Sequence, residues 1–166
     1  MSSQPAGARV DRPSMPEAYG LQAPAEGLLP WEWVTERLRS ARNYWVGSTR
    51  PDGRPHCCPV WGVWLDDAVY FSTARATRKG RNLEASRDAV IHLESGDEVV
   101  IVEGRVEEVP SDEPVDRVAD PYEQKYGLRP PLADPGNVLY ALRPTLVLAW
   151  RESDFPQSAT RWRFEA

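Results

Sequence analysis

"YWVGSTRPDGRPHCCPVWGVWLDDAVYFST", Tyr44 to Thr73, reads as three strands joined by two tight turns. "YWVGST" (44–49) is rich in β-branched and aromatic residues, and "RPDG" (50–53) puts Pro and Gly where a turn needs them. "RPHCCPVWGVWL" (54–65) follows as a long strand, "DD" (66–67) reverses the chain, and "AVYFST" (68–73) is the third strand. Strands joined this way make an antiparallel meander. Pro59 has no N–H to give a neighbour, so its strand belongs at an edge or a bulge. Cys57 and Cys58, the only two cysteines, fall on opposite faces of that strand and read as small apolar side chains, not as a disulfide framework.

Upstream, "LLPWEWVTERLRSARN" (28–43) is predicted helical. Pro30 suits its start, Trp31, Val34 and Leu38 share one face, and Glu32, Glu36, Arg37 and Arg39 can stay wet. Residues 1–27 are rich in Pro, Gly, Ser and Ala without periodicity, so they are expected to form a flexible arm ahead of a single domain, 28–166. Met15 and Tyr19 in that arm are candidates for packing on a partner subunit.

Downstream, "ATRKGRNLEASR" (76–87) is predicted helical, "AVIHLE" (89–94) a strand, "SGDE" (95–98) a turn and "VVIVEGRVEEV" (99–109) a long strand. That last strand starts apolar throughout, as if buried on both sides. It then alternates, with Val102, Gly104 and Val106 on one face and Glu103, Arg105 and Glu107 on the other. A helix is expected to begin near Ser111, followed by a loop over "LRPPLADPG" (128–136). "NVLYALRPTLVLAW" (137–150) is a strand pair or one strand interrupted at Pro144, and "TRWRFEA" (160–166) is a final strand. The sum is a mainly β fold, a small antiparallel Greek-key barrel with about three helices around it.

The chain has 166 residues, a formal charge of −5 and a pI near 5.1, which argues against bulk binding to nucleic acid. No apolar run is long enough to span a bilayer, and "MSSQPAGARVDRPSMPEAYG" lacks the apolar region of a secretory signal, so a cytoplasmic protein is expected. Arg dominates the basic residues and only Lys79 and Lys125 are lysines, a composition of high-GC, actinobacterial type.

Against that acidic background, Arg75, Arg78, Lys79 and Arg81 fall within seven residues, with no acid among them. They sit where a strand ends and a helix begins, with Thr77 as the expected N-cap. The first N–H groups of a helix are unpaired and carry partial positive charge, so cations there oppose the dipole. The placement makes sense if an anion such as phosphate or carboxylate occupies the junction; the alternative is a solvated basic face. Gly80 is expected to allow close approach of that anion.

The order of these motifs, "DGRPH…PVW" followed by "YFST…TRKGRNL", resembles the pyridoxamine 5′-phosphate oxidase-like superfamily, and more closely its actinobacterial flavin/deazaflavin oxidoreductase branch. The resemblance runs strongly from Trp31 to Val109. It implies an FMN-binding-like split β-barrel that forms homodimers, with a cofactor in each cleft at the subunit interface. It implies that Thr77, Arg78, Lys79 and Asn82 hold the cofactor phosphate or tail, and that Pro59, Val60, Trp61, Ser72 and Thr73 line the ring. The C-terminal substrate pattern of true pyridoxamine phosphate oxidases is missing, so that activity is not expected.

The implied cofactor is coenzyme F420 or FMN. F420 is longer and more anionic, and the four cations favour it. The implied chemistry is hydride transfer between that cofactor and a small organic substrate. No acid–base pair announces itself: His56, His92 and Tyr70 are candidates, and none is assigned. Trp150 and Trp162 could stack on a planar ligand. Two alternatives stand beside the enzyme: a non-catalytic cofactor-storage protein, and a haem-handling split-barrel protein.

Overall fold

The computed structural model describes residues 5, 7–21, 26–110 and 115–165. Among them lie strands β1 (Ala8–Asp11), β2 (Tyr44–Thr49), β3 (Pro55–Val60), β4 (Gly62–Leu65), β5 (Ala68–Ala74), β6 (Asp88–His92), β7 (Glu98–Glu108), β8 (Asn137–Arg151) and β9 (Thr160–Phe164). Helices α1 (Trp31–Ser40), α2 (Arg78–Ala85) and α3 (Asp116–Tyr126) are joined by a single turn, α4 (Phe155–Ser158). The expected helix start at Ser111 lies outside the described residues.

The expected meander forms, with one break. β2 pairs β3 and β4 pairs β5, both antiparallel, and Trp61 alone separates β3 from β4. β5 then pairs β8, β8 pairs β7, β7 pairs β6, and β6 returns to β2. The circuit is closed by the chain itself at Trp61, and the result is a split β-barrel. β3 is a terminal strand of the pairing order, so the missing N–H of Pro59 costs no ladder bond.

β8 is one continuous strand of 15 residues, not a pair. Its first half pairs β5 and its second half pairs β9, with a register shift opposite Glu103 and Gly104. Pro144 sits where β8 changes partner, between its pairing to β5 and its pairing to β9, a position that tolerates a residue without an N–H.

The barrel core holds Val34 and Leu38 of α1 with Tyr44, Val46, Phe71, Leu83, Ile91, Val102, Tyr140 and Leu142. Trp162 belongs to this core, 1% exposed, with its ring 5.5 Å from that of Trp31. It is therefore unavailable to a planar ligand, and Trp150 is edge-on to Phe155. A second cluster forms where Tyr122 and Val118 of α3 cover Val63, Ala68, Tyr70 and Leu139. β5 is thus apolar on both sides, with Phe71 facing the barrel and Tyr70 facing α3.

Two expectations need correction. Ala8–Asp11, expected in a flexible arm, form β1 and pair β9 at the sheet edge. Asp11 fixes them there through ion pairs to Arg161 and Arg163, and the Arg161 guanidinium holds its carboxyl below the usual range. β7, expected to start buried on both sides, is buried on one only. Val100 and Val102 face the barrel, while Val99 and Ile101 stay half-exposed on the outside. Register continues that outer row from Pro59 through Trp45, His92 and Ile101 to Leu148. No described helix is long and apolar enough to cross a membrane.

Candidate functional site

Thr77 caps α2 as expected: its Oγ1 accepts from Gly80 N at 3.0 Å, donates to Ala74 O at 2.8 Å and lies 3.1 Å from Thr73 Oγ1. Arg78 and Lys79 follow in a first turn without any acidic residue. Gly80 has a different role from the one expected. A Cβ there would sit 2.5 Å from Ala74 O, 2.7 Å from Arg75 O and 2.9 Å from Arg75 Cα. The glycine lets the helix start pack on its own strand end, and a ligand is not needed to explain it. Gly80→Ala is expected to cost about 1–3 kcal/mol by forcing these backbones apart, whereas the same change at an open helix position would stabilise by about 0.5–1 kcal/mol. Urea unfolding of the variant checks this.

Of the four clustered cations, Arg75 drops out. It pairs with Glu84 at 3.1 Å and with Glu108 of β7, which pushes its pKa further up. Arg78 lies across from the β2–β3 turn, where it adds to the pull that Arg54 exerts on the Asp52 carboxyl. Lys79 is half-buried against the Cys58 thiol, and burial lowers its pKa. Neither Arg78 nor Lys79 forms a salt bridge among the described residues, whereas Arg75 does.

Asn82 is fully buried, donating from Nδ2 to Ser48 Oγ at 3.1 Å and so tying α2 to β2. Among the described residues its Oδ1 has no partner. Nor do Arg50 Nε and His56 Nδ1, and all three atoms lie in or beside the β2–β3 hairpin that α2 covers. Buried polar groups are normally satisfied, so three orphans in one neighbourhood call for explanation.

The predicted ring-lining residues do not converge on one face. Pro59 is exposed on the outer side, Val60 is buried in the barrel, and Ser72 and Thr73 point to opposite sides of β5. Trp61 is already stacked, 4.7 Å from the Tyr126 ring at 3° between planes, with the Arg42 guanidinium 5.4 Å from its own centroid. What the fold does join is the helix start and this strand: Lys79 meets Cys58, and Pro59–Trp61 begin at the next residue. Of the acid–base candidates, His92 stacks on Trp45 with Nδ1 2.8 Å from Leu93 O, and Tyr70 is buried, accepting from Arg117 at 3.1 Å.

The sequence reading missed a cluster on α3. Tyr122, Lys125 and Tyr126 share one helix face by their spacing, and that pattern was the available signal. Lys125 Nζ donates to Tyr44 Oη at 3.0 Å and to Gly62 O at 3.1 Å. Tyr126 Oη donates to Arg42 O at 2.7 Å and accepts from Gly62 N at 3.0 Å. Burial raises the Tyr44 and Tyr126 hydroxyls and lowers Lys125 to about 8. The Lys125 value carries a pH effect on stability. An unfolded lysine keeps its proton up to about pH 10. Between pH 8 and 10 the unfolded chain therefore binds the proton that the folded chain has released, and stability rises with pH. Urea unfolding at pH 7 and 9 is expected to show wild type gaining stability relative to Lys125→Met; an unchanged difference would contradict the assignment.

Comparison with known proteins places this architecture. The family model described as pyridoxamine 5′-phosphate oxidase matches residues 31–151. A conserved hypothetical protein of Mycobacterium tuberculosis is similar in structure, with TM-score 0.67, 21% identity, and coverage of 78% of this chain and 89% of that one. A protein described as an F420 reductase superposes with TM-score 0.56 at 24% identity, over 68% of this chain and 93% of its own. A haem-binding protein from Mycobacterium smegmatis gives TM-score 0.54 at 18% identity, over 70% of this chain and 51% of its own. Among curated proteins there is no match.

Proposed function

The chain belongs to the pyridoxamine 5′-phosphate oxidase family, and from there we propose that it is an oxidoreductase moving a hydride between bound F420, or FMN, and a small organic substrate. The observation that carries this reading is the start of α2. Arg78 and Lys79 stand there at the helix end where cations are disfavoured, in no salt bridge among the described residues, near two orphaned buried nitrogens, Arg50 Nε and His56 Nδ1. A phosphate fits those residues. It brings acceptors for both side chains and for the free N–H groups of the first turn. Arg78 can grip it with two parallel N–H bonds, and Lys79 adds a point charge in a partly desolvated position.

When bound, the cofactor supplies the hydride chemistry at its ring. The chain's own residues tether and orient it. A group anchored at Lys79 is next to Cys58, and Pro59–Trp61 continue from there along the strand. With Arg75 withdrawn into ion pairs, Arg78, Lys79 and Arg81 remain for a longer anionic tail, which still favours F420 over FMN.

The second half of the cleft comes from a second copy in this reading. Trp45, Val90, Val99, Ile101, Leu148 and Trp150 form a half-exposed apolar outer face on the single chain. Such a face on a sheet marks an interface. A homodimer closed over it excludes water from the ring.

Steady-state assays with chemically reduced F420 or FMN and a panel of quinones and enones test the function. Oxidation of the reduced cofactor that depends on both protein and acceptor supports the enzyme. Tight binding without turnover makes the chain a cofactor-storage protein instead.

A further inference from the structure

Apart from the start of α2, a cavity of about 410 Å³ lies where the first turn of α3 meets β5, β7 and β8. That is the small end of the range for ligand pockets, about 300–1,000 Å³, and suits a compact molecule. Val109, Pro110 and Ala141 give it an apolar wall. Tyr70 reaches it from a buried ring, 2% exposed. Its Oη accepts from Arg117 at 3.1 Å, and no acceptor for its own O–H stands among the described residues. Arg117 is neutralised by Asp66 at 2.9 Å. Arg143 is not: its guanidinium has only a long hydrogen bond to the Asp66 carbonyl, 3.4 Å, and forms no salt bridge among the described residues. Glu107 lines the same cavity, also without a salt bridge among them, while its neighbour Glu108 turns away to Arg75. Register pairs Glu107 with Ala141, so Glu107 and Arg143 are diagonal neighbours on one sheet face. The cavity thus presents one spare cation, one spare anion and one spare hydroxyl donor beside an apolar wall.

We propose that this cavity binds a free α-amino acid with an aliphatic side chain. The carboxylate is held by Arg143 and the Tyr70 hydroxyl, the ammonium by Glu107, and the side chain lies against Val109, Pro110 and Ala141. The charge pattern selects the class. A plain carboxylate would suit Arg143 but stand beside Glu107, and like charges repel. A plain amine would suit Glu107 but face Arg117 and Arg143. A molecule with both charges on neighbouring atoms satisfies both spare groups at once. The buried ring of Tyr70 holds its hydroxyl in place before the ligand arrives, so little ordering cost falls on that contact.

The test is a titration of the full-length, ¹⁵N-labelled protein with L-valine at pH 7, followed by amide chemical shifts. Shifts are expected at Tyr70, Glu107 and Ala141, saturating at millimolar concentration. Isovalerate, which lacks the ammonium, and isobutylamine, which lacks the carboxylate, should each bind about tenfold or more weakly, the worth of one charge-assisted hydrogen bond. Arg143→Ala should weaken L-valine by a similar factor. Glu107→Gln should weaken L-valine about tenfold and tighten isovalerate, a reversal that general damage to the fold would not produce. No saturable shift at these residues overturns the site, as does an Arg143→Ala protein that binds L-valine like wild type. Equal affinity for L-valine and isovalerate overturns the role of Glu107. The titration is run without F420 or FMN, so its outcome stands whatever occupies the start of α2.

Discussion

Alanine at both Arg78 and Lys79 will weaken binding of F420 and of FMN by about a hundredfold or more, with the fold intact. Charge-assisted hydrogen bonds contribute roughly 1.5–3 kcal/mol each, so losing two moves the dissociation constant by two orders of magnitude or more. The fold survives because neither side chain forms a salt bridge among the described residues; the α2 cap is Thr77, and the buried tie to β2 is Asn82. Removing two cations from the first turn should even help the isolated helix slightly. The variant is therefore expected to unfold at the same or a higher urea concentration while losing the cofactor, and equilibrium dialysis together with urea unfolding checks both halves. Arg75→Ala is the contrast: it breaks the ion pairs to Glu84 and Glu108 and should leave cofactor affinity within a few fold.

Ile101→Arg will convert the protein to a monomer and take cofactor binding with it. Ile101 sits mid-row on the outer sheet face, between His92 and Leu148, and is half-exposed on the single chain. If a second copy covers that face, the substitution buries a guanidinium without a partner, which costs several kcal/mol and raises the dimer dissociation constant about a thousandfold. The barrel is untouched, because the core side of β7 is carried by Val100, Val102 and Val106. Sedimentation velocity should give the mass of one chain for the variant and of two for the wild type. A dimeric variant would move the interface elsewhere.

Much of this architecture could be read in the chain. The period-2 pattern and the 50–53 and 66–67 turns specify the strands of the meander, and Pro59 announces an edge. Thr77 announces a cap. What could not be read depends on distant partners. β1 lies in Pro- and Gly-rich sequence and exists because Asp11 meets Arg161 and Arg163, about 150 positions away. Arg75 looked like one more cation for an anion until the fold brought Glu108 to it. Trp61 was expected to face a ring, and α3 supplied Tyr126 to cover it. Gly80, read as clearing space for a ligand, serves packing against the strand end, and Asn82 also ties α2 to β2. The core of the candidate site, Thr77 with Arg78 and Lys79, is the part the local pattern could specify, because a helix start needs no distant partner.

Titrating the purified protein with F420 and with FMN, followed by visible absorbance, tests the central claim most directly. The account predicts a shifted spectrum that saturates at one cofactor per chain for at least one of the two, and its loss in the Arg78→Ala, Lys79→Ala protein. An unchanged spectrum with both cofactors, at concentrations far above the protein's, would contradict it.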